Sequence, residues 1–372
     1  MRPDGWEDGG WTRCGGRGCF RRKEGDAHLV TRPSRAASQE DRDGQTRGVS
    51  TATVVIALVV AILLVPVVAY VGASAYVYDQ CSRAGAKCPG DDVQDPTSFT
   101  VAGIDATPYL LPVPQTVSFP ARNDPQVTIA AWWEPVATLD APTVILIHGL
   151  NGCRRNGPNL LAAGMLHRHG IAVLLIDMRN HGDSTVEDGR FSGGNDEYLD
   201  ALGAFDWLRT QGIPAGRIGL LGFSLGAATA MIAIGEEPAV AAIWADSSYA
   251  EIREAIRNEL TYKGFPTIFD VGAVLVGKIV TGEDIVARSP LEATAKLNGR
   301  PIFLTQGADD ERIGPRPLAE LAAGVRAAGG TVETWLVAAA KHTRALREHP
   351  AEYEQHMVDF FGRALGGLPA GS

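Results

Sequence analysis

The chain has few cysteines and no surplus of positive charge. Five cysteines in 372 residues are too few for a disulfide-built scaffold, and none forms the CxxC pair that holds zinc. Lys and Arg number 34 against 43 Asp and Glu, a formal net charge of −9. A nucleic-acid binder would need a basic face, so that class of function is excluded. The first 98 residues are charge-balanced, and the acidic excess falls on the remainder. No internal repeat is present. Apolar residues are not lacking: 45% hydrophobic and 21% charged describe a chain with a packed core.

Residues 1–50 are almost without aliphatic side chains and rich in Gly, Arg, Asp and Ser. Such a segment cannot bury enough surface to offset its ordering entropy, so a disordered tail is expected. A second reading starts the natural product near Val49. Charge is what the next stretch lacks. From Val54 to Val77 there are 24 residues without Asp, Glu, Lys or Arg. A helix of that length spans about 36 Å, enough for a hydrocarbon core of about 30 Å. Pro66 is tolerated in such a span. The expectation is one transmembrane helix over 53–77, retained as a signal anchor. The rival is a cleaved signal peptide ending at Ala73-Ser74-Ala75, for which the apolar stretch is too long. Arg32, Arg35, Arg42 and Arg47 precede the span, and only Arg83 and Lys87 follow closely. That bias predicts a single-pass cell-membrane protein with its N-terminus in the cytoplasm and the rest on the extracytoplasmic side. Cys81 and Cys88 would then face an oxidising compartment, where they could close a small loop or remain two thiols. Residues 78–99 read as a linker.

From residue 100 to 367 the pattern alternates. Eight strand-like runs begin at Thr116, Val127, Thr143, Ile171, Ile218, Val240, Pro301 and Thr331. Most of the later ones are continuously apolar, as strands buried on both faces should be. Helical patterns lie between them. One covers Asn159–His169. Another is capped by Asn195, with Tyr198, Leu202, Phe205 and Leu208 as its stripe. A third runs from Leu318 to Ala328, and the last opens at Pro350. The predicted fold is α/β: a doubly wound, mainly parallel eight-stranded sheet, preceded by one transmembrane helix.

Gly222-Phe223-Ser224-Leu225-Gly226 is G-x-S-x-G. A buried strand leads in and a small-residue helix leads out, the context of a turn that raises a serine hydroxyl above a sheet. Serine needs a base and the base needs an orienting acid. His342 follows the last strand. Asp309 and Asp310 follow the strand that starts at Pro301, so serine, acid and histidine come in the expected order. Two backbone amides should stabilise the oxyanion: Leu225, next to the nucleophile, and Leu150 or else Asn151 in the turn after the strand from Thr143.

With these residues in place, the chain resembles the α/β-hydrolases, in particular bacterial serine hydrolases with an esterase-like or prolyl-oligopeptidase-like core, over about Thr116 to Leu365. The resemblance rests on His148-Gly149, the Asp177–Ser184 loop (D-x-R-x-H-G-x-S), Gly222 to Gly226, Ser289-Pro290, Gly307–Asp310 and His342. It implies that Arg179 and His181 brace loops, and that Asp310 rather than Asp309 is the acid, because G-x-x-D-x-x-[VI] falls on Gly307, Asp310 and Ile313. Asp246 is a third option, since some relatives place the acid there. Residues 247–300 occupy the position of a small helical cap, where Ile252, Ile256 and Leu260 stripe one helix. Its apolar residues are ordinary cap core or form an acyl pocket over Ser224. Cys153 reads as a small buried residue.

The function expected is hydrolysis of carboxylic esters, with lipid esters and thioesters among the candidate substrates, through an acyl-enzyme on Ser224, with no metal and no other cofactor. Two alternatives stand beside it: a prolyl-oligopeptidase-like serine peptidase, and a catalytically inactive binding module at the membrane. The expected partners are a small-molecule or lipid ester and the membrane; the oligomeric state is left open.

Overall fold

In a computed structural model, residues 49–367 are described except 86–87, 89–92, 139 and 283. The predicted tail at 1–48 lies outside the described residues. The chain divides into two compact units, residues 1–56 and 57–372, and the fold discussed below is that of the second.

Eight strands form one sheet in the order β1-β2-β4-β3-β5-β6-β7-β8. They are β1 (Gln115–Ala121), β2 (Asp124–Glu134), β3 (Thr143–Ile147), β4 (Ala172–Ile176), β5 (Ile218–Phe223), β6 (Ala242–Asp246), β7 (Ile302–Gly307) and β8 (Val332–Val337). Every strand expected from the sequence is present. The β1–β2 and β2–β4 pairs are antiparallel and all others parallel. The five strands β3 to β7 are buried at every position, because helices cover both faces. That is why they read as unbroken apolar runs.

The helices are α1 (Thr51–Ser82), α2 (Gly157–His167), α3 (Glu197–Thr210), α4 (Leu225–Glu236), α5 (Ile252–Tyr262), α6 (Asp270–Thr281), α7 (Pro290–Ala293), α8 (Arg316–Ala327), α9 (Ala345–Glu348) and α10 (Pro350–Ala364). One core joins α3, α4 and α8 to the sheet through Leu208, Met231 and Leu321. The other joins α2 and α10 through Leu161, Met165, Tyr353 and Phe361. Trp244, fully buried, stacks on Phe303 with ring centroids 3.9 Å apart and touches Tyr353 and Phe360.

One local expectation needs correction, and neither reading left open for Cys81 and Cys88 is what the structure has. Asn195 does not cap α3; Asp196 holds that position without a side-chain cap. The Asn195 amide instead donates to Ser192 O and Ile285 O. The turn is closed by Glu197, whose carboxylate accepts the Ser192 and Gly194 amides at 2.8 Å each. Nor do Cys81 and Cys88 pair. Cys88 bonds Cys153, 65 residues away, while Cys81 is a free, half-buried thiol. The reason is geometric. Cys81 lies in the last turn of α1, packed towards Leu260 and Phe265. The chain beyond it crosses to the turn after β3, where the Gly85 amide donates to Asn151 Oδ1 at 2.7 Å.

The Cys88–Cys153 disulfide ties the segment following α1 to the loop after β3. Closing a loop of this length stabilises a fold by about 2–4 kcal/mol. Cys88→Ser should therefore lower the unfolding free energy by about that amount. Thermal melts check it: reductant should bring the parent down to the variant and leave the variant unmoved.

Candidate active site

The site begins with a tight turn. Ser224 sits between β5 and α4 with φ 54° and ψ −114°, a strained conformation for a residue with a side chain. Two glycines make the turn possible. A Cβ on Gly222 would lie 2.1 Å from Gly226 O, and one on Gly226 would lie 2.2 Å from Ile147 O at the end of β3. The start of α4 thus runs against the end of β3 with no room for side chains. Ser224 N donates to Asp246 O at 2.8 Å, pinning the turn to β6.

His342 reaches the turn from the loop after β8. Its Nε2 is 2.9 Å from Ser224 Oγ, and its Nδ1 is 2.7 Å from Asp310 Oδ2. Asp310 is buried and Asp309 is exposed. The Asp310 carboxylate also accepts from Gln306 Nε2 at 2.7 Å and from the amides of Arg312 and Ile313 at 2.9 Å each. Burial alone would raise its pKa. The His342 hydrogen bond and charge and the two amides outweigh that, and hold it below the ordinary carboxylate value. The acid therefore stays ionised and holds the imidazole with Nε2 facing the serine. Gly307, where the acid loop starts, would meet Ala340 O at 2.3 Å if it carried a Cβ. Both loops leave neighbouring strand ends in close contact.

Asp246 is beside this chain but not in it. Its two oxygens accept from Ser247 Oγ (2.8 Å) and Tyr353 OH (2.9 Å). Ser247 Oγ in turn accepts the Thr343 amide at 3.1 Å, tying the histidine loop back to β6. Burial raises the Asp246 pKa to about 6 against these two hydrogen bonds and the His342 charge. The sequence offered Asp246 as an acid but carried no sign of Tyr353, Ser247 or Gln306. Those three act through contacts between distant segments.

The remaining motif residues brace the surrounding loops. Asp177 accepts the Arg154 amide at 2.7 Å and the Asp183 amide at 2.9 Å, and pairs with the Arg154 guanidinium. Arg179 pairs with Asp200 (2.9 Å), Glu187 and Asp124. His181 Nδ1 is 2.9 Å from Arg179 O, and its Nε2 accepts the Asn151 amide at 3.4 Å. His148 bridges Gly149 O (2.8 Å) and the Met178 amide (3.0 Å). Burial, then the neighbouring His181, pushes the His148 pKa down to about 3. Burial likewise lowers that of His181. Both rings are neutral supports.

A cavity of about 290 Å³ opens at Ser224 and His342; its lining mixes apolar residues (Leu150, Pro158, Phe223) with polar ones (Asn156, Asn159, Arg312, Arg347). No residue of 247–300 lines it. The apolar side chains of that segment pack elsewhere, Leu260 and Ala273 against Val77. Others, including Ile256 and Val274, line a separate cavity of about 380 Å³ that does not reach Ser224. Among the described residues no cluster of His, Cys, Asp and Glu could hold a metal ion.

This sheet order, with a nucleophile-type turn after the fifth strand, defines a hydrolase-type α/β fold. Comparisons with known proteins agree. A family described as "alpha/beta hydrolase fold" matches residues 142–269. An esterase of Pyrococcus furiosus is 22% identical, covering 72% of this chain and 99% of its own, with a TM-score of 0.57. An α/β hydrolase from a Penicillium species is 16% identical, covering 68% and 99%, with a TM-score of 0.54. An acylaminoacyl peptidase of Pyrococcus horikoshii is 17% identical, covering 70% of this chain and 43% of its own, with a TM-score of 0.50. No curated protein matches. The chain has the α/β-hydrolase fold.

Burial holds the folded Asp246 pKa at about 6, above the value of about 4 in an unfolded chain, so its charge lowers stability as pH rises from about 4 to 6. Asp246→Asn should remove that part of the pH dependence. Melting temperatures between about pH 4 and 7 check this, and an unchanged slope in the variant would contradict it.

Proposed function

We propose that the protein is a serine hydrolase of carboxylic esters, anchored in the membrane by α1. The observation that carries the chemistry is the unbroken chain Ser224 Oγ–His342–Asp310, at 2.9 and 2.7 Å. In this reading Ser224 attacks the acyl carbonyl. His342 Nε2 takes the serine proton and passes it to the leaving oxygen, and Asp310 stabilises the imidazolium. Water, deprotonated by the same imidazole, then releases the acid and restores the serine. Leu225 supplies one oxyanion donor, since it opens α4 where an N–H has no partner in a preceding turn. The Asn151 amide is directed at His181, which leaves Leu150 as the second donor. The turn that carries it is close: a Cβ on Gly149 would lie 3.4 Å from Ser224 Cβ.

The limited volume of the 290 Å³ cavity, with Asn156, Asn159 and Arg312 among its lining residues, supports short or polar acyl groups over long chains. The anchor reading is supported by α1 itself. Among the described residues it is the one helix long and apolar enough to cross a membrane, with a mean hydropathy of 3.1 over an 18-residue window of which no part is buried. The arginines ahead of it favour an extracytoplasmic catalytic domain.

Ser224→Ala should abolish fluorophosphonate labelling and lower ester hydrolysis by about 10⁴-fold or more. Asp310→Asn should cost about 10⁴-fold. In a chain-length series the acetyl and butyryl esters should be cleaved faster than the palmitoyl ester or thioester. Faster cleavage of a peptide amide than of any ester would favour the peptidase reading. Unchanged activity in Ser224→Ala would favour the binding module.

A further inference from the structure

Helix α6 lies alongside the end of α1 and faces it with small residues. A Cβ on Gly272 would meet Ser74 and Tyr70, and one on Gly277 would meet Tyr78. The order of these contacts makes the two helices run in the same direction. Aromatic rings close the junction: Tyr70 on Phe269 at 5.7 Å and Tyr76 on Phe265 at 6.2 Å. Tyr70 OH also donates to Ile268 O at 2.8 Å. Ile268 is therefore level with Tyr70.

The side of this segment turned away from the domain is apolar and bare. Ile268 is 65% exposed, Val271 52%, Leu275 56% and Ile279 73%. Val271, Leu275 and Ile279, four residues apart, fall in one line along α6, and Ile268 lies in the turn just before it. Large aliphatics in a row of this kind are not how a water-facing helix is built. The line is continuous with another bare surface, since the large aliphatics of α1 from Leu58 to Val68 are 45–69% exposed. A span of about 20 residues occupies the hydrocarbon core, so a helix that starts at Thr51 leaves that core near Tyr70. Tyr70 and Tyr76 stand where amphipathic rings gather at a bilayer boundary. Two lysines flank the patch, Lys263, which donates to Gln80 O, and Lys278, which pairs with Asp284. Two lysines are too few to select anionic lipid.

We propose that the cap is itself a membrane-contacting element. The tip Phe265–Phe269 and the first turns of α6, through Leu275, are seated in the headgroup and acyl boundary of the leaflet from which α1 emerges. This rests on α1 being a membrane anchor. Because α6 runs alongside α1, Ile279 stands about 16 Å further along its axis than Ile268, so immersion decreases along the line. The occupant is lipid, held by apolar burial rather than by charge. Contact of this kind would fix the domain's orientation and hold the cavity at Ser224 at a set place relative to the bilayer.

The test uses the full chain in phosphatidylcholine vesicles, with a nitrobenzoxadiazole probe on a single added cysteine. Ile268→Cys, Val271→Cys, Leu275→Cys and Ile279→Cys are compared with Val60→Cys in α1 and Arg326→Cys on α8. The background has Cys14, Cys19 and Cys81 replaced by Ser. Unchanged hydrolysis of a soluble ester verifies folding. Quenching by lipids carrying a spin label on the acyl chain should be strong at position 268, decline in order to 279, and be absent at 326. Replacing part of the phosphatidylcholine with phosphatidylserine should not change it. If position 60 is quenched while 268, 271 and 275 behave like 326, the anchor stands and this proposal falls. If position 60 is not quenched, the anchor reading falls and takes the proposal with it. Shielding of the patch from aqueous iodide without lipid quenching, in a chain that cross-links to a second copy, would make the patch an interface between copies and overturn the proposal.

Discussion

The close approach of α4 to the end of β3 is the constraint on which the rest of the site depends. Gly226 lets the helix begin against the Ile147 carbonyl, and Gly222 lets the strand turn into it. Between them Ser224 is held at φ 54°, with its hydroxyl above the sheet. The strain is maintained by the surrounding hydrogen bonds and packing, including the bond from Ser224 N to β6. Any side chain at either glycine would push α4 off β3 and carry the serine away from His342.

The partners of that serine are held by a second, less visible layer. Gln306 and two amides fix Asp310, while Tyr353, Asp246 and Ser247 tie the histidine loop to β6. Each of these side chains belongs to a strand end or to the core helix α10. The geometry at the serine is thereby coupled to the packing around Trp244. Buried networks of this kind are worth most when every member is satisfied. The neutral pair His148 and His181 does the same work on the other side, supporting the turns that follow β3 and β4.

The strands were legible because β3 to β7 are covered on both faces, so burial wrote itself into the composition of each run. The positions of Ser224, Asp310 and His342 at strand ends were legible for the same reason. Local pattern failed where a residue's partner lay far off. Asn195 looks like a helix cap, yet a carboxylate two residues on competes better for the free amides and Asn195 turns to Ile285. Cys88 passes over its near neighbour Cys81 because α1 does not stop at the end of its uncharged stretch but continues to Ser82. The apolar residues of 247–300 carry no label saying whether they face the serine or α1; Leu260, Ala273 and Phe269 pack with Val77 of α1.

The amino-acid order by itself determined the alternation of strand and helix, the identity of every strand and the turn that carries Ser224. These depend on periodicity, glycine and hydrophobicity, which act over a few residues. Only the tertiary structure decided that His342, 118 residues from Ser224, comes within 2.9 Å of it, that Cys88 meets Cys153, and that residues 247–300 do not line the cavity at Ser224. Such outcomes are set by which surfaces pack together across the whole sheet, and no local stretch of sequence encodes the distance between two of its distant parts.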